Sequence, residues 1–133
     1  MSEAALSPRP VILVADDDED ILTLVAVRLE LAGYDVIKAR SGDEALRMAV
    51  EHSPDLAVID VMMPGLNGFE VTRELRRREV TRETPVILLT ALAQESDVAR
   101  GLAAGADDYV KKPFDAADLR ARVAQASASS VTL

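Results

Sequence analysis

Leu56-Ala57-Val58-Ile59-Asp60-Val61-Met62-Met63-Pro64-Gly65 is an apolar run that climbs to one aspartate and gives way within four residues to a Pro-Gly turn. Without polar alternation, such a run suits a strand covered on both faces, as in the middle of a parallel sheet. A strand of that kind has no wet side on which to place a carboxylate. Asp60 therefore belongs at the strand's carboxyl end, where open α/β sheets gather their ligands. Its expected use there is as a reactive group.

With 133 residues, the chain can bury one good core around that strand. Its 49% hydrophobic and 29% charged residues describe a soluble globular domain rather than a disordered one. A balance of 15 basic against 23 acidic residues leaves a net charge of −8. This argues against direct nucleic-acid binding, which needs a basic face to displace counterions from phosphates. No apolar run approaches the roughly 18 residues of a membrane span. The first ten residues lack the basic-then-apolar pattern of a signal peptide, so a cytoplasmic location is expected. The absence of cysteine excludes disulfides and thiolate chemistry. His52, the one histidine, reads as an ordinary helix C-terminal residue interacting with the dipole.

Working outward from Asp60, the chain repeats one alternation. A polar lead (1–9) precedes a second apolar run, Val11 to Ala15, which ends in Asp16-Asp17-Asp18-Glu19-Asp20. A helix follows, with Ile21, Leu22, Val25, Leu29 and Ala32 on one face and Gly33 as its stop. Tyr34 to Ala39 is a shorter, more polar strand. Ser41 and Glu44 form the pattern of a capping box, opening a helix that carries Ala45, Leu46, Ala49 and Val50 inward and ends at Ser53-Pro54. After the Asp60 strand, Asn67-Gly68 opens a third helix with Val71, Thr72 and Leu75 inward. Arg76-Arg77-Arg78 within it, interleaved with Glu70, Glu74 and Glu79, reads as a solvated face. Val86 to Leu89 is a third continuous apolar run, ending in Thr90. A helix over 95–104, a short strand over 107–110, Lys111-Lys112-Pro113-Phe114 and a last helix capped by Asp115 complete the folded part.

Five strands alternating with five helices require a parallel sheet with right-handed crossovers and helices on both faces. The three fully apolar strands should be central and the polar second strand at an edge. That is the flavodoxin-like (βα)5 order 2-1-3-4-5, with its switch point between strands one and three. The expected domain spans 10–126, with 127–133 as a tail or the start of a linker.

Asp16, Asp17 and Asp60 would then converge at the switch point. Carboxylates so close repel one another unless protons or a cation intervene. Their hard oxygens, completed by waters and a backbone carbonyl, suit an octahedral Mg²⁺. The competing reading, an acidic helix start favoured by the macrodipole, accounts for Asp18, Glu19 and Asp20 better than for the two aspartates that end an apolar strand. Thr90 and Lys112 close strands on the same edge. Taken singly, one is a strand-end hydroxyl and the other a solvated charge. Together with a carboxylate nucleophile and a divalent cation they make a phosphoryl-transfer site: Asp60 attacks phosphorus, Lys112 and the metal neutralise the equatorial oxygens, and Thr90 hydrogen-bonds one of them.

Asp16-Asp17, Asp60-Val61-Met62-Met63-Pro64-Gly65, Leu89-Thr90-Ala91 and Gly105-Ala106-Asp107-Asp108-Tyr109-Val110-Lys111-Lys112-Pro113-Phe114 together resemble the receiver domain of bacterial response regulators, the CheY-like superfamily of two-component phosphorelay systems. The resemblance covers residues 10–126. It implies that Asp60 accepts a phosphoryl group from the phosphohistidine of a sensor histidine kinase or phosphotransfer protein. Asp16, Asp17, Asp60 and the Met62 backbone carbonyl would hold Mg²⁺ (or Mn²⁺), Thr90 and Lys112 would contact the phosphoryl group, and the Lys112-Pro113 bond would be cis. It also implies a switch in which Thr90 moves toward the phosphoryl oxygen and Tyr109 turns inward, remodelling the face of the fourth helix, fifth strand and fifth helix for a protein target or an attached output domain. The competing reading of Tyr109 is a half-buried strand aromatic with its hydroxyl in water. Such a domain is a signalling phosphoacceptor and not a turnover enzyme.

Two departures matter. Met62 and Leu92 stand where the family tunes phosphoryl lifetime, and both are apolar, so slow self-dephosphorylation is expected. Asp108, Asp118 and Arg122 match the pattern of dimerising members, but Val98 replaces the usual basic partner of Asp118, which leaves a monomer or a weak dimer. Rival readings are a phosphorylation-independent scaffold of the same fold and a haloacid-dehalogenase-type phosphatase using Asp16 and Asp18, which would leave Asp60 idle. An FMN module is weaker still, since no Gly- or Ser/Thr-rich loop follows the first strand.

Overall fold

Burial on both faces explains why three strands carry no polar alternation. In the computed structural model, which describes residues 9–92 and 94–131, every residue of β1 (Val11–Ala15) after Val11, of β3 (Leu56–Asp60) and of β4 (Val86–Thr90) is buried. The other elements are α1 (Glu19–Leu31), β2 (Asp35–Ala39), α2 (Gly42–His52), α3 (Gly68–Arg77), α4 (Glu95–Ala104), β5 (Asp108–Lys111) and α5 (Ala116–Val131). The sheet is parallel throughout, in the order β2-β1-β3-β4-β5. The polar β2 lies at one edge and the four-residue β5 at the other, as the sequence leads one to expect. Among the described residues no helix is long and apolar enough to cross a membrane.

The period-2 alternation of side chains divides the core between the two faces. Leu13, Ala57, Ile59 and Leu88 point to the layer of α2, α3 and α4, against Ala45, Ala49, Phe69, Val71, Leu75 and Ala104. Ile12, Val14, Leu56, Val58, Ile87 and Leu89 face α1 and α5, against Leu22, Val25, Leu29, Leu119 and Val123. Within α1, Ala26 takes the buried place expected of Ala32, which is exposed as the C-cap; within α2, Met48 packs inward and Val50 is exposed. The α5 helix runs past the expected boundary at 126, consistent with its Ala-rich composition.

Local signals set the helix starts. Asp18 accepts from the amides of Asp20 and Ile21, so it is spent as the N-cap of α1. Asn67 and Glu70 bond reciprocally at the start of α3. At α2 the box is altered: Ser41 Oγ accepts from the Glu44 amide, but the Glu44 carboxylate reaches the Arg40 amide, one residue outside the cap. Arg9, placed in the lead by its sequence, donates to the carbonyls of Glu30, Gly33 and Tyr34 and so caps the carboxyl end of α1.

Arg76 departs most from expectation. It does not belong to the solvated face of its neighbours Arg77 and Arg78, which pair with Glu74. Its guanidinium donates to the carbonyls of Gly105, Arg82 and Thr84 and to the Asp107 carboxylate, which also accepts from the Val86 amide. One side chain thus ties α3 to the loops entering β4 and β5. Replacing Arg76 by Ala should lower stability in urea unfolding by about 2 kcal/mol, since several carbonyls lose a charged donor at once. Arg76→Lys should recover less than half, because an ammonium cannot span the fork. A wild-type midpoint for Arg76→Ala would show that water replaces the pin at no loss.

Candidate functional site

The carboxyl ends of β1, β3, β4 and β5 meet at one edge of the sheet, where Asp60 and Thr90 end β3 and β4 and Asp16 and Lys112 directly follow β1 and β5. The register that sets Ala15 beside Ile59 carries Asp16 level with Asp60. The pairing of Thr90 with Lys111 brings β5 alongside, and the Lys112 amide donates to the Thr90 carbonyl at 2.7 Å. The peptide between Lys112 and Pro113 is cis.

Asp16 and Asp60 are buried, whereas Asp17 is exposed at the rim; each can offer one oxygen, all within 4.8 Å of one another. The two oxygens of Asp16 are engaged, one by the Asp18 amide at 2.9 Å and one by Lys112 Nζ at 2.9 Å. Lys112 Nζ also lies 3.5 Å from Asp60 Oδ1, which accepts from the Met62 amide at 3.4 Å. The Lys112 ammonium therefore pairs with Asp16 and Asp60, while Asp17 adds a third carboxylate to the cluster. Burial pushes the Asp60 carboxyl up to about 6, and the charge of Asp16, with a smaller push from Asp17, acts in the same direction. Lys112 and the Met62 amide oppose this without cancelling it. The donor set is all oxygen, anionic and undercompensated, which fits a hard divalent cation.

Thr90 is fully buried, and its Oγ1 accepts from the Leu92 amide at 3.2 Å, leaving its proton to donate elsewhere. The Leu92 carbonyl in turn accepts from the Tyr109 hydroxyl at 3.0 Å. Tyr109 is half-buried, and burial, followed by the charge of Asp97, raises its phenol. Its hydroxyl is thus held by the β4–α4 loop rather than left in water. Leu92 links the two residues through its backbone, which no side-chain pattern in the sequence signals. Gly68, read from the sequence only as part of a helix start, has a second role. It opens α3 so close to β3 that a Cβ there would lie 2.7 Å from the Asp60 carbonyl oxygen and 2.8 Å from Val61 Cα. At the rim, Arg40 Nε bonds both oxygens of Glu19, the first residue of α1. The Met62 side chain is 60% exposed and apolar, so the polar groups Met62 brings beside Asp60 are those of its backbone alone. Asp18, the second carboxylate a dehalogenase-type reading requires, caps α1 instead.

Comparison with known proteins agrees with this geometry. The response regulator receiver domain family matches residues 12–124. The DNA-binding dual master transcriptional regulator RpaA of Synechocystis is 48% identical over 86% of this chain and 47% of its own length. The alkaline phosphatase synthesis transcriptional regulatory protein PhoP of Bacillus subtilis is 49% identical over 84% and 46%. The chain spans about half the length of these curated relatives. Among solved structures, the receiver domain of the Francisella response regulator 1452 superposes with a TM-score of 0.86 at 38% identity, covering 92% of this chain and 99% of that one. The chain belongs to the response regulator receiver domain family.

Proposed function

We propose that Asp60 is the phosphoacceptor of a cytoplasmic phosphorelay, receiving a phosphoryl group from a phosphohistidine on a sensor kinase or phosphotransfer protein. The observation that carries this reading is the buried convergence of Asp60 with Asp16, Lys112 and Thr90 at one sheet edge. In the transfer an Asp60 carboxylate oxygen forms a bond to phosphorus as the P–N bond breaks. The electron pair leaves on the imidazole nitrogen, which takes up a proton. Lys112 faces the charge that gathers on the phosphoryl oxygens, and Thr90 Oγ1, which already accepts from the Leu92 amide, donates its proton to one of them. Mg²⁺ or Mn²⁺, held by Asp16, Asp17, Asp60 and the Met62 carbonyl, would supply further positive charge at those oxygens. The domain stores a signal and does not turn over substrate.

Output follows from the path Thr90–Leu92–Tyr109, which connects the site to the face of α4, β5 and α5. By analogy with RpaA and PhoP, this face would serve a transcriptional regulator, with a protein surface and not nucleic acid as its direct partner; the net charge of −8 fits that role. Arg122 is already paired within the chain to Asp108 and Asp118, and Val98 is apolar. The unphosphorylated chain should accordingly sediment as a monomer at micromolar concentration; a stable dimer there would contradict the weak-interface reading.

The test is incubation with acetyl phosphate and Mg²⁺ followed by intact mass. One phosphoryl group should be gained, and none without Mg²⁺ or with Asp60→Asn. Because neither Met62 nor Leu92 can orient a hydrolytic water, the gained group should persist well beyond seconds after the donor is removed. No gain in the wild type would favour the phosphorylation-independent scaffold.

A further inference from the structure

Glycine inside a helix needs a reason, because it weakens the helix relative to alanine. Gly101 is buried in the middle of α4, and its backbone is not in the left-handed region. Conformational freedom is therefore not the reason. Space is. A Cβ at this position would lie 2.9 Å from Tyr109 Cδ2, 3.2 Å from Tyr109 Cε2 and 3.0 Å from Leu88 Cδ1.

These two neighbours differ in their ability to yield. Leu88 is fully buried in the central strand β4, closed in by packed side chains. Tyr109 is half-buried on the edge strand β5 and can swing about χ1 toward solvent. On that outer side lies a groove of about 280 Å³, lined in part by Tyr109, Lys111, Phe114, Asp118 and Arg122. A side chain at 101 would drive the ring there and break the bond from its hydroxyl to the Leu92 carbonyl. The missing side chain of Gly101 is what lets α4 lie close enough to hold the ring.

The structure assigns to Gly101 the role of a positioning residue: it forms the seat that admits the Tyr109 ring, and so sets which form the face between α4 and α5 presents. The regulatory meaning rests on the proposed coupling of Tyr109 to Asp60 through Thr90 and Leu92. The seat itself is a steric property that can be measured separately. Gly101 lies outside the carboxylate cluster and contributes no group to phosphoryl transfer.

The experiment uses Gly101→Ala in a Tyr34→Phe background, where 3-fluorotyrosine reports on Tyr109 alone. The fluorine resonance should shift, and its relaxation by a soluble gadolinium chelate should rise several-fold as the ring leaves the seat. Thermal unfolding gives a second readout. With Tyr109→Ala the ring is gone and only the Leu88 contact remains, so Gly101→Ala should lower Tm less there than it does when Tyr109 is present. An unchanged resonance and relaxation, or an equal change in Tm in both backgrounds, would overturn the assignment. Gly101→Ala should still gain one phosphoryl group from acetyl phosphate, since every reacting group is retained. If the wild type takes up none, the reading of Asp60 fails, while the fluorine and thermal results still judge the seat.

Discussion

Asp60→Asn is expected to stabilise the metal-free protein at neutral pH by about 3 kcal/mol, although it removes the proposed reactive group. The reason is the environment of the carboxyl. Burial and the charge of Asp16 raise it from an ordinary 3.8 to about 6. Below the lower value the group is neutral in both folded and unfolded chains and contributes nothing. Between the two values the unfolded chain releases its proton while the folded chain keeps it, so stability falls as pH rises. Above the upper value the penalty is complete. Asparagine never ionises and escapes it. Urea unfolding of the two proteins in chelator should therefore diverge with pH, the gap at about pH 5 being roughly half that at about pH 7.5. Adding Mg²⁺ should narrow the gap by stabilising only the wild type. A gap independent of pH would mean that Lys112 already neutralises the site.

The second large effect concerns a residue with no functional group. Gly68→Ala should cost about 3 kcal/mol, despite the gain in helix propensity, because the added methyl meets the backbone of Asp60 and Val61 and not a side chain that can turn aside. The start of α3 is fixed further by the Gly68 amide, which donates to the Val61 carbonyl at 2.9 Å. The helix cannot back away without breaking this bond or moving the end of β3. Mg²⁺ affinity, measured by calorimetry in the same variant, should fall as well, since Asp60 would shift relative to Asp16. Wild-type stability and affinity together would show that α3 slides freely on the strand.

Both predictions depend on distances between residues that the sequence places in order but not in space. The architecture was legible because burial leaves a one-dimensional trace: continuous apolar runs for β1, β3 and β4, polar residues in β2, and cap residues at helix starts. Asp18 and Asn67 could be read as helix starts because a cap bonds to amides two or three residues away. The same local reading failed for Glu44, whose carboxylate chose the amide before the cap, and for Arg76, whose partners lie up to 31 residues away along the chain. A run of three arginines among glutamates looks the same whether one of them faces water or pins two loops.

The strand-end position of Asp16, Asp60, Thr90 and Lys112 came from the sequence, since parallel strands joined by right-handed crossovers must present their carboxyl ends on one edge. The sequence could also state that clustered carboxylates repel. Only the tertiary structure decided how that repulsion is shared: Lys112 sits closer to Asp16 than to Asp60, and Asp60 is left to carry the raised proton affinity. Only the tertiary structure, likewise, showed the roles of Gly68 and Gly101. A glycine records in the sequence that a side chain is absent, whereas the atoms that would have collided with it belong to strands and helices brought together by folding.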